Sequence, residues 1–320
     1  MATEGGTADG WVVEALRAAG CVFAEEEAAV VVEAAGGDRR ELERLVRERA
    51  AGRPLEQLVG WAAFAGLRVV VEPGVFVPRR RTELLVREAV ADAPDRAVVV
   101  DLCCGSGAIG AAIAAYGQGR IRLTTDADGD VAFEVVPQER WPDVRPVRFG
   151  VVTTDDDGDV AFEAVSEADH DRGAAGEPGR FEVVAADVDP AAVRCARRNL
   201  GAERVFEGDL FQALPEGLRG RVDVLVVNAP YVPTAAIATM PTEARLHEAG
   251  AALDGGGDGL DVQRRIVAGA AAWLRDGGRL LIETSERQAP RTAALFEAAG
   301  FAPRIVRDEA LDATVVVGRR

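Results

Sequence analysis

Residues 97–115 read AVVVDLCCGSGAIGAAIAA. Val98, Val99 and Val100 make a β-branched run that ends in Asp101; Gly105 and Gly107 follow, and then an alanine-rich apolar segment with helical spacing. This pattern predicts a strand, a tight turn and a helix. Glycine suits such a turn because the backbone bends sharply and a ligand can approach with no Cβ in the way. The free N–H groups that open the helix then face that ligand. The Asp-xxx-Gly-x-Gly spacing departs from the GxGxxG dinucleotide fingerprint. A glycine turn alone is shared by many nucleotide folds, and a buried parallel strand with no ligand can also end in one.

Downstream of this stretch, strands and helices alternate. A second strand over 181–186 ends in Asp187 and runs through DVDPAAVRCARRNL into a helix. An acidic side chain at that tip can accept hydrogen bonds from both ribose hydroxyls of a nucleoside cofactor, or it can serve only as a cap; Asp189 is the better cap for a helix begun by Pro190. Val205 and Phe206 suggest a third strand leading to GDLFQAL, where Asp209 stands where a cofactor base edge could be met. Val222–Val227 is a continuous apolar run, which implies burial on both faces, so the polar Asn228 at its tip is informative. It opens Asn228-Ala229-Pro230-Tyr231, readable otherwise as an ordinary Asn-Pro turn. A helix over 262–274, a strand over 279–284, a helix over 291–299 and a closing pair at 301–306 and 314–317 complete the chain. The expected fold is α/β, a doubly wound sheet with an antiparallel edge.

Upstream, residues 11–51 carry three helical segments punctuated by Gly36, Gly37 and Gly52, with Asp38 and Glu41 in the form of a helix start signal. Two β-like runs, 61–64 and 67–72, flank Ala65-Gly66 as a hairpin, and Thr82 can cap a helix over Glu83–Ala91. Arg79, Arg80 and Arg81 precede that helix; they read either as a solvated basic turn or as a contact to an acidic partner or a cofactor carboxylate.

Between the first and second strands of the sheet lies an internal duplication. TTDADGDVAFEVV at 124–136 recurs as TTDDDGDVAFEAV at 153–165, each copy patterned as a hairpin with an Asp/Gly turn. Asp126, Asp128, Asp130, Asp155, Asp157 and Asp159 invite a calcium reading, but the distal Glu of an EF-hand loop is missing, and solvated turns account for the pattern. No metal site is expected. The helix after the first strand returns the chain to the far end of a parallel sheet, so this insert is expected to emerge opposite the ligand crevice, as a peripheral appendage.

The 320 residues suffice for one large domain and a small one. The formal charge is −16, and every basic residue is arginine. Such a field repels phosphate backbones and weighs against indiscriminate nucleic-acid binding. No apolar run approaches the roughly 18 residues of a membrane span, and the N-terminus lacks the basic and apolar parts of a signal peptide, which predicts a cytoplasmic protein. Cys21, Cys103, Cys104 and Cys195 have no metal-ligand spacing; the adjacent pair reads as small apolar filler.

The glycine motif resembles the first motif of class I S-adenosylmethionine methyltransferases. Most of the chain outside the insert resembles the HemK/PrmC-type protein N5-glutamine methyltransferases. GRPLEQLVGWAAFAGLRVVVEPGVFVPRRRTELL is similar to that family's linker hairpin and DLCCGSGAIG to its cofactor loop. AADVDPAAVRCARRN, GDLF and NAPYVP match its next three motifs, and ALDGGGDGLDVQRRIV with GGRLLIETSERQ its C-terminal half. The resemblance implies a Rossmann-like class I methyltransferase domain over 79–320 interrupted by the 121–180 insert, a linker hairpin over 53–78, and a helical substrate-docking domain over 1–52. It implies S-adenosyl-L-methionine as cofactor, bound by Asp101, Cys103, Cys104, Gly105, Ser106, Gly107, Asp187, Asp209 and Asn228. Asn228, Ala229, Pro230 and Tyr231 become the substrate-binding tetrad, with Asn228 and Tyr231 catalytic. Two departures from the family pattern matter: Ala229 replaces the first proline of Asn-Pro-Pro-Tyr, and Arg81 replaces the acid of Pro-Arg-Pro-Glu-Thr-Glu.

The implied reaction methylates a glutamine side-chain amide, with the Gly-Gly-Gln motif of a peptide-chain release factor as the protein substrate. Asn228 Oδ1 and the Ala229 carbonyl would accept the amide N–H groups as positive charge develops, and Tyr231 would pack on the amide plane. No His or Lys base is required, so His170 and His247 are incidental. The alternatives are a ribosomal-protein glutamine, a nucleic-acid exocyclic amine, or a non-catalytic cofactor-binding module that docks a partner.

Overall fold

Residues 10–125, 131–137, 150–154, 160–163, 181–240 and 242–320 are described by a computed structural model of the chain. Three amphipathic helices come first, α1 (Gly10–Ala18), α2 (Ala24–Ala35) and α3 (Arg39–Ala50). Their apolar stripes, among them Val12, Leu16, Ala28, Val31, Leu42 and Leu45, meet in a core of their own, as residues spaced by three or four along a helix can. Asp38 caps α3, accepting from the N–H groups of Arg40 (2.8 Å) and Glu41 (3.3 Å).

A short helix, α4 (Leu55–Val59), leads into the hairpin β1 (Trp61–Phe64) and β2 (Leu67–Val70), turned at Ala65 and Gly66, both at positive φ. Helix α5 (Glu83–Ala91) begins directly after Thr82, but the Thr82 side chain makes no cap. This corrects the sequence expectation: its hydroxyl is committed to the functional site.

From Val98 onward the chain builds a seven-stranded sheet. Its parallel strands are β3 (Val98–Leu102), β8 (Glu182–Asp187), β9 (Val205–Glu207), β10 (Val222–Val227) and β11 (Leu274–Glu283); the antiparallel edge is β12 (Ala302–Asp308) with β13 (Ala313–Arg319). Across the sheet the order is β9-β8-β3-β10-β11-β13-β12. This is the doubly wound arrangement, with its order reversing on either side of β3. The helices are α6 (Ala108–Gly117), α7 (Pro190–Leu200), α8 (Thr242–His247), α9 (Gly250–Leu253), α10 (Asp261–Ala270) and α11 (Ala289–Ala298).

Side-chain alternation divides the central strands between two cores. Val99, Val183, Val224, Val226 and Leu281 face one core, while Val98, Val100, Leu102, Val184, Leu225, Val227 and Ile282 face the other. Burial on both faces is why these strands read as unbroken apolar runs. The helix expected over 262–274 is shorter: it stops at Ala270, and Leu274 already starts β11. The β10–β11 register shifts between Val222 and Val224, near Gly278, where an added Cβ would lie 2.9 Å from the Val222 carbonyl oxygen. The strand therefore takes in a Gly277-Gly278 kink that helical periodicity cannot signal.

The insert contributes two antiparallel hairpins, β4 (Ile121–Thr125) with β5 (Val131–Val135) and β6 (Gly150–Thr154) with β7 (Val160–Glu163). Leu123, Phe133 and Val135 pack against the core, and β6 pairs with β2, extending the linker hairpin to four strands. Two attachments therefore join this segment to the rest of the molecule. The aspartates read as a calcium pattern, Asp126, Asp128, Asp130, Asp155, Asp157 and Asp159, lie outside the described residues, as does His170. Among the described residues no helix is long and apolar enough to cross a membrane.

Candidate active site

The C-terminal tips of β3, β8 and β10 open into one pocket. Cys103, Cys104, Gly105 and Ser106 come from the loop after β3, Asp187 and Val188 from the tip of β8, Asp209 and Leu210 from beyond β9, and Asn228, Ala229, Pro230 and Tyr231 from the tip of β10. Since β3 lies between β8 and β10, their tips must share a crevice, the place where doubly wound sheets bind ligands. Two backbone bonds tie the rim: Cys104 N–H to the Ala186 carbonyl (3.1 Å) and Gly208 N–H to the Asp187 carbonyl (3.0 Å).

Asp187 organises the glycine loop. One carboxylate oxygen accepts from the Gly105 N–H and the other from the Asp189 N–H, each at 2.9 Å. Burial pushes its carboxyl up, while those N–H groups pull it back. Asp189 accepts from the Ala191 N–H (2.8 Å) and caps α7, with Pro190 in the first turn. Asp189 is therefore the cap, and Asp187 ties the glycine loop to the tip of β8.

Asp101 and Gly107 do not line the pocket; they act from beneath it. Asp101 is wholly buried and accepts from the Gly110 N–H (2.9 Å), pinning the start of α6 under the loop. Burial pushes its pKa up to about 7. Gly107, at φ 78°, opens α6 in the left-handed region, and a Cβ there would meet Ala196 of α7 at 3.0 Å. Close helix packing, together with the turn, requires this glycine. Gly105 differs: a Cβ there would meet nothing nearer than Phe76 at 3.9 Å, so the loop faces open space on the pocket side.

This end of the pocket suits a nucleoside. Val188 is apolar yet 59% exposed, and it lines the cavity with Leu210 and Val262, giving surfaces for a base. Asp187 retains acceptor capacity beyond its two N–H contacts. Asp209 is already paired, one oxygen accepting from Arg265 Nη2 at 2.6 Å. Arg265, on α10, therefore lines this end of the pocket beside Asp209, a placement the sequence does not signal.

At the other end, Asn228 Nδ2 donates to Thr82 Oγ1 (3.3 Å), and the Tyr231 hydroxyl accepts from Arg81 Nη2 (2.9 Å). Burial pushes the Tyr231 phenol up to about 12. Arg79 pairs with the buried Glu248, and Arg81 Nε lies 3.7 Å from Oε1 of the buried Glu283. Two of the three linker arginines thus face acids inside the molecule and line the pocket. A solvated turn therefore does not describe them.

A glycine-rich loop braces the tetrad. Val232 N–H bonds to the Leu253 carbonyl (3.1 Å), Gly255 N–H to the Val232 carbonyl (2.8 Å), and Gln288 Nε2 to the Tyr231 carbonyl (2.9 Å). A Cβ on Gly255 would sit 2.8 Å from the Pro230 carbonyl oxygen, and one on Gly259 would strike the Tyr231 carbonyl. The signal for this contact is the glycine cluster in LDGGGDGLD, which marks close backbone approach.

No family model matches the chain. It is 32% identical over 282 residues to a release factor glutamine methyltransferase from Geobacter sulfurreducens, covering 86% of this chain and 76% of that one. A second protein of that name, from Mycolicibacterium smegmatis, is 37% identical over 79% of this chain and 69% of its own. A 4-amino-L-phenylalanine/4-methylamino-L-phenylalanine methyltransferase from Streptomyces pristinaespiralis is 31% identical over 80% and 69%.

Proposed function

The chain belongs to the release factor glutamine methyltransferase family, and from that premise we propose that it methylates the side-chain amide of the glutamine in a release factor Gly-Gly-Gln motif, using S-adenosylmethionine. One observation carries the reading. Asn228 spends its Nδ2 on Thr82, which leaves Oδ1 to accept from a ligand in the pocket that Asp187 and the glycine loop also line.

The residues available to the cofactor are Asp187 for the ribose hydroxyls, Val188 and Leu210 for the base, Asp209 for its edge, and the 103–106 backbone beside the glycine turn. When bound, S-adenosylmethionine supplies a methyl group on a positively charged sulfur. The protein's own task is set by the acceptor. An amide nitrogen is a poor nucleophile because its lone pair is delocalised, so the site must fix its geometry and hold its N–H groups as positive charge develops. Asn228 Oδ1 and the Ala229 carbonyl are the acceptors for those N–H groups; alanine serves here as proline does because only its backbone oxygen is used. Tyr231 packs against the amide plane and excludes water. It stays neutral, since burial holds its phenol near 12, and its ring face favours nearby positive charge.

The test is incubation of the purified protein and S-adenosylmethionine with a release factor, with ribosomes, and with 4-aminophenylalanine, followed by mass spectrometry. Methyl on the Gly-Gly-Gln glutamine is the expected product. Asn228→Ala should lower its rate about 100-fold or more while cofactor binding persists. Turnover only on ribosomal protein, RNA or the amino acid would reassign the substrate, and cofactor binding with no turnover on any acceptor would make this a non-catalytic module.

A further inference from the structure

We propose that Glu283, at the end of β11, is a positioning residue for methyl transfer, orienting the Asn228 amide through Thr82 and holding Arg81 against the Tyr231 hydroxyl. The inference rests on the methyltransferase reading and extends it to a residue outside the pocket. Glu283 is only 2% exposed and is not among the lining residues, whereas Arg81, Thr82, Asn228 and Tyr231 all are. Arg81 Nε lies 3.7 Å from Glu283 Oε1, and Thr82 beside it favours the ionised carboxyl. Thr82 accepts from Asn228 Nδ2, and Arg81 donates to the Tyr231 oxygen. The two side chains that would grip the acceptor are thus each one step removed from a single buried acid.

Burial pushes the Glu283 carboxyl up, and Thr82 and Arg81 only partly offset it. One carboxyl oxygen, Oε2, has no hydrogen-bond partner among the described residues. A buried acid so incompletely paired is poor support for the fold, since an apolar residue of similar volume would serve stability as well or better. Orientation is what it supplies instead. A Thr82 hydroxyl that donates to Glu283 leaves its lone pairs to the Asn228 N–H at 3.3 Å, and that fixes which amide atom the pocket receives. A small error in such a placement is enough to slow a reaction strongly.

The experiment compares wild type with Glu283→Gln, Thr82→Val, Thr82→Ser and the Glu283→Gln/Thr82→Val double variant, with turnover expressed per cofactor-binding site. Glu283→Gln and Thr82→Val should each lower kcat on a Gly-Gly-Gln release factor, on the order of 10- to 100-fold, with the cofactor Kd within about threefold. Thr82→Ser, which keeps the hydroxyl, should restore most of the rate. The double variant should be no slower than the slower single, because both act through one relay. The proposal is overturned by unchanged kcat per site with only a lowered Tm, by losses that multiply in the double variant, or by a neutral Thr82→Val. If wild type shows no turnover, the release factor reading fails by itself. Crystal structures of wild type and Thr82→Val then decide the relay: a rotated Asn228 amide supports it, and an unmoved one overturns it.

Discussion

Asp101 is the acid on which the glycine loop rests, and burial carries its titration into the physiological range. Burial raises its pKa to about 7, the nearby Asp187 charge adds to the rise, and the Gly110 N–H offsets part of it. In the unfolded chain the same carboxyl titrates near 3.9. Between these values the folded state holds a proton that the unfolded state has released, so this group's contribution to stability declines as pH rises from about 4 to about 7. Above that window the charged, buried carboxylate costs about 4 kcal/mol relative to its neutral form. Asp101→Asn keeps an acceptor for Gly110 and removes the titration. The variant should therefore overtake wild type in urea midpoint as pH goes from 5 to 8, and parallel curves for the two proteins would count against the assignment.

Among the elements, those that bury both faces are legible in the sequence alone. Val222–Val227 and the β-branched run at 98–100 can only be central strands, and Asp38 and Asp189 announce their helices by local chemistry. What stays hidden is whatever depends on two distant elements meeting. Thr82 reads as a cap because Thr before a helix usually is one, yet its hydroxyl faces Asn228, 146 residues away. Glu283 reads as the end of a strand, and Arg265 as one more surface charge on a helix. Asn199 is the clearest case: a polar residue near the end of α7, it is fully buried. Its Oδ1 accepts from Val70 N–H (2.9 Å), while its Nδ2 donates to the carbonyls of Val70 (2.9 Å) and Ser106 (2.8 Å). One amide therefore clamps the linker hairpin to the cofactor loop. Asn199→Leu would strand the buried Ser106 carbonyl and the part-buried Val70 N–H, at about 1 to 3 kcal/mol each, while the Val70 carbonyl keeps the Cys195 thiol at 3.2 Å. The expected outcome is a lower Tm together with at least a several-fold weaker cofactor Kd by calorimetry; a lowered Tm with unchanged Kd would limit Asn199 to a structural part.

At the scale of the whole molecule, the question is how the 60-residue insert at 121–180, with its duplicated hairpin sequence, sits inside an α/β domain without spoiling it. The pocket lies at the C-terminal tips of β3, β8 and β10, and none of the described insert residues lines it. The insert follows α6, which carries the chain back from those tips, so topology separates it from the site. Its hairpins are nonetheless attached. Val135 packs where a Cβ on Gly66 would come within 3.1 Å, Val131 gives its carbonyl to Arg87 (2.7 Å), and Val136 N–H bonds to the Arg120 carbonyl (2.8 Å). The open edge of β2 is used twice, by β6 at Leu67 and Arg68 and by Asn199 at Val70. Removing residues 121–179 therefore takes away the fully buried Ile121 and uncovers apolar surface now shielded by Leu123, Phe133 and Val135. At roughly 1 to 2 kcal/mol for each partly buried side chain and about 1.5 to 3 for Ile121, the loss should be on the order of 5 to 9 kcal/mol. Removing only 138–179 keeps the first hairpin and should cost far less. In both deletions the Asn199 clamp and the strand tips remain, so the folded protein should bind cofactor within tenfold of wild type. Denaturant melts give the first comparison and calorimetry the second. A folded 138–179 deletion with cofactor affinity weakened beyond tenfold would mean that the second hairpin, through β2 and Asn199, helps set the glycine loop.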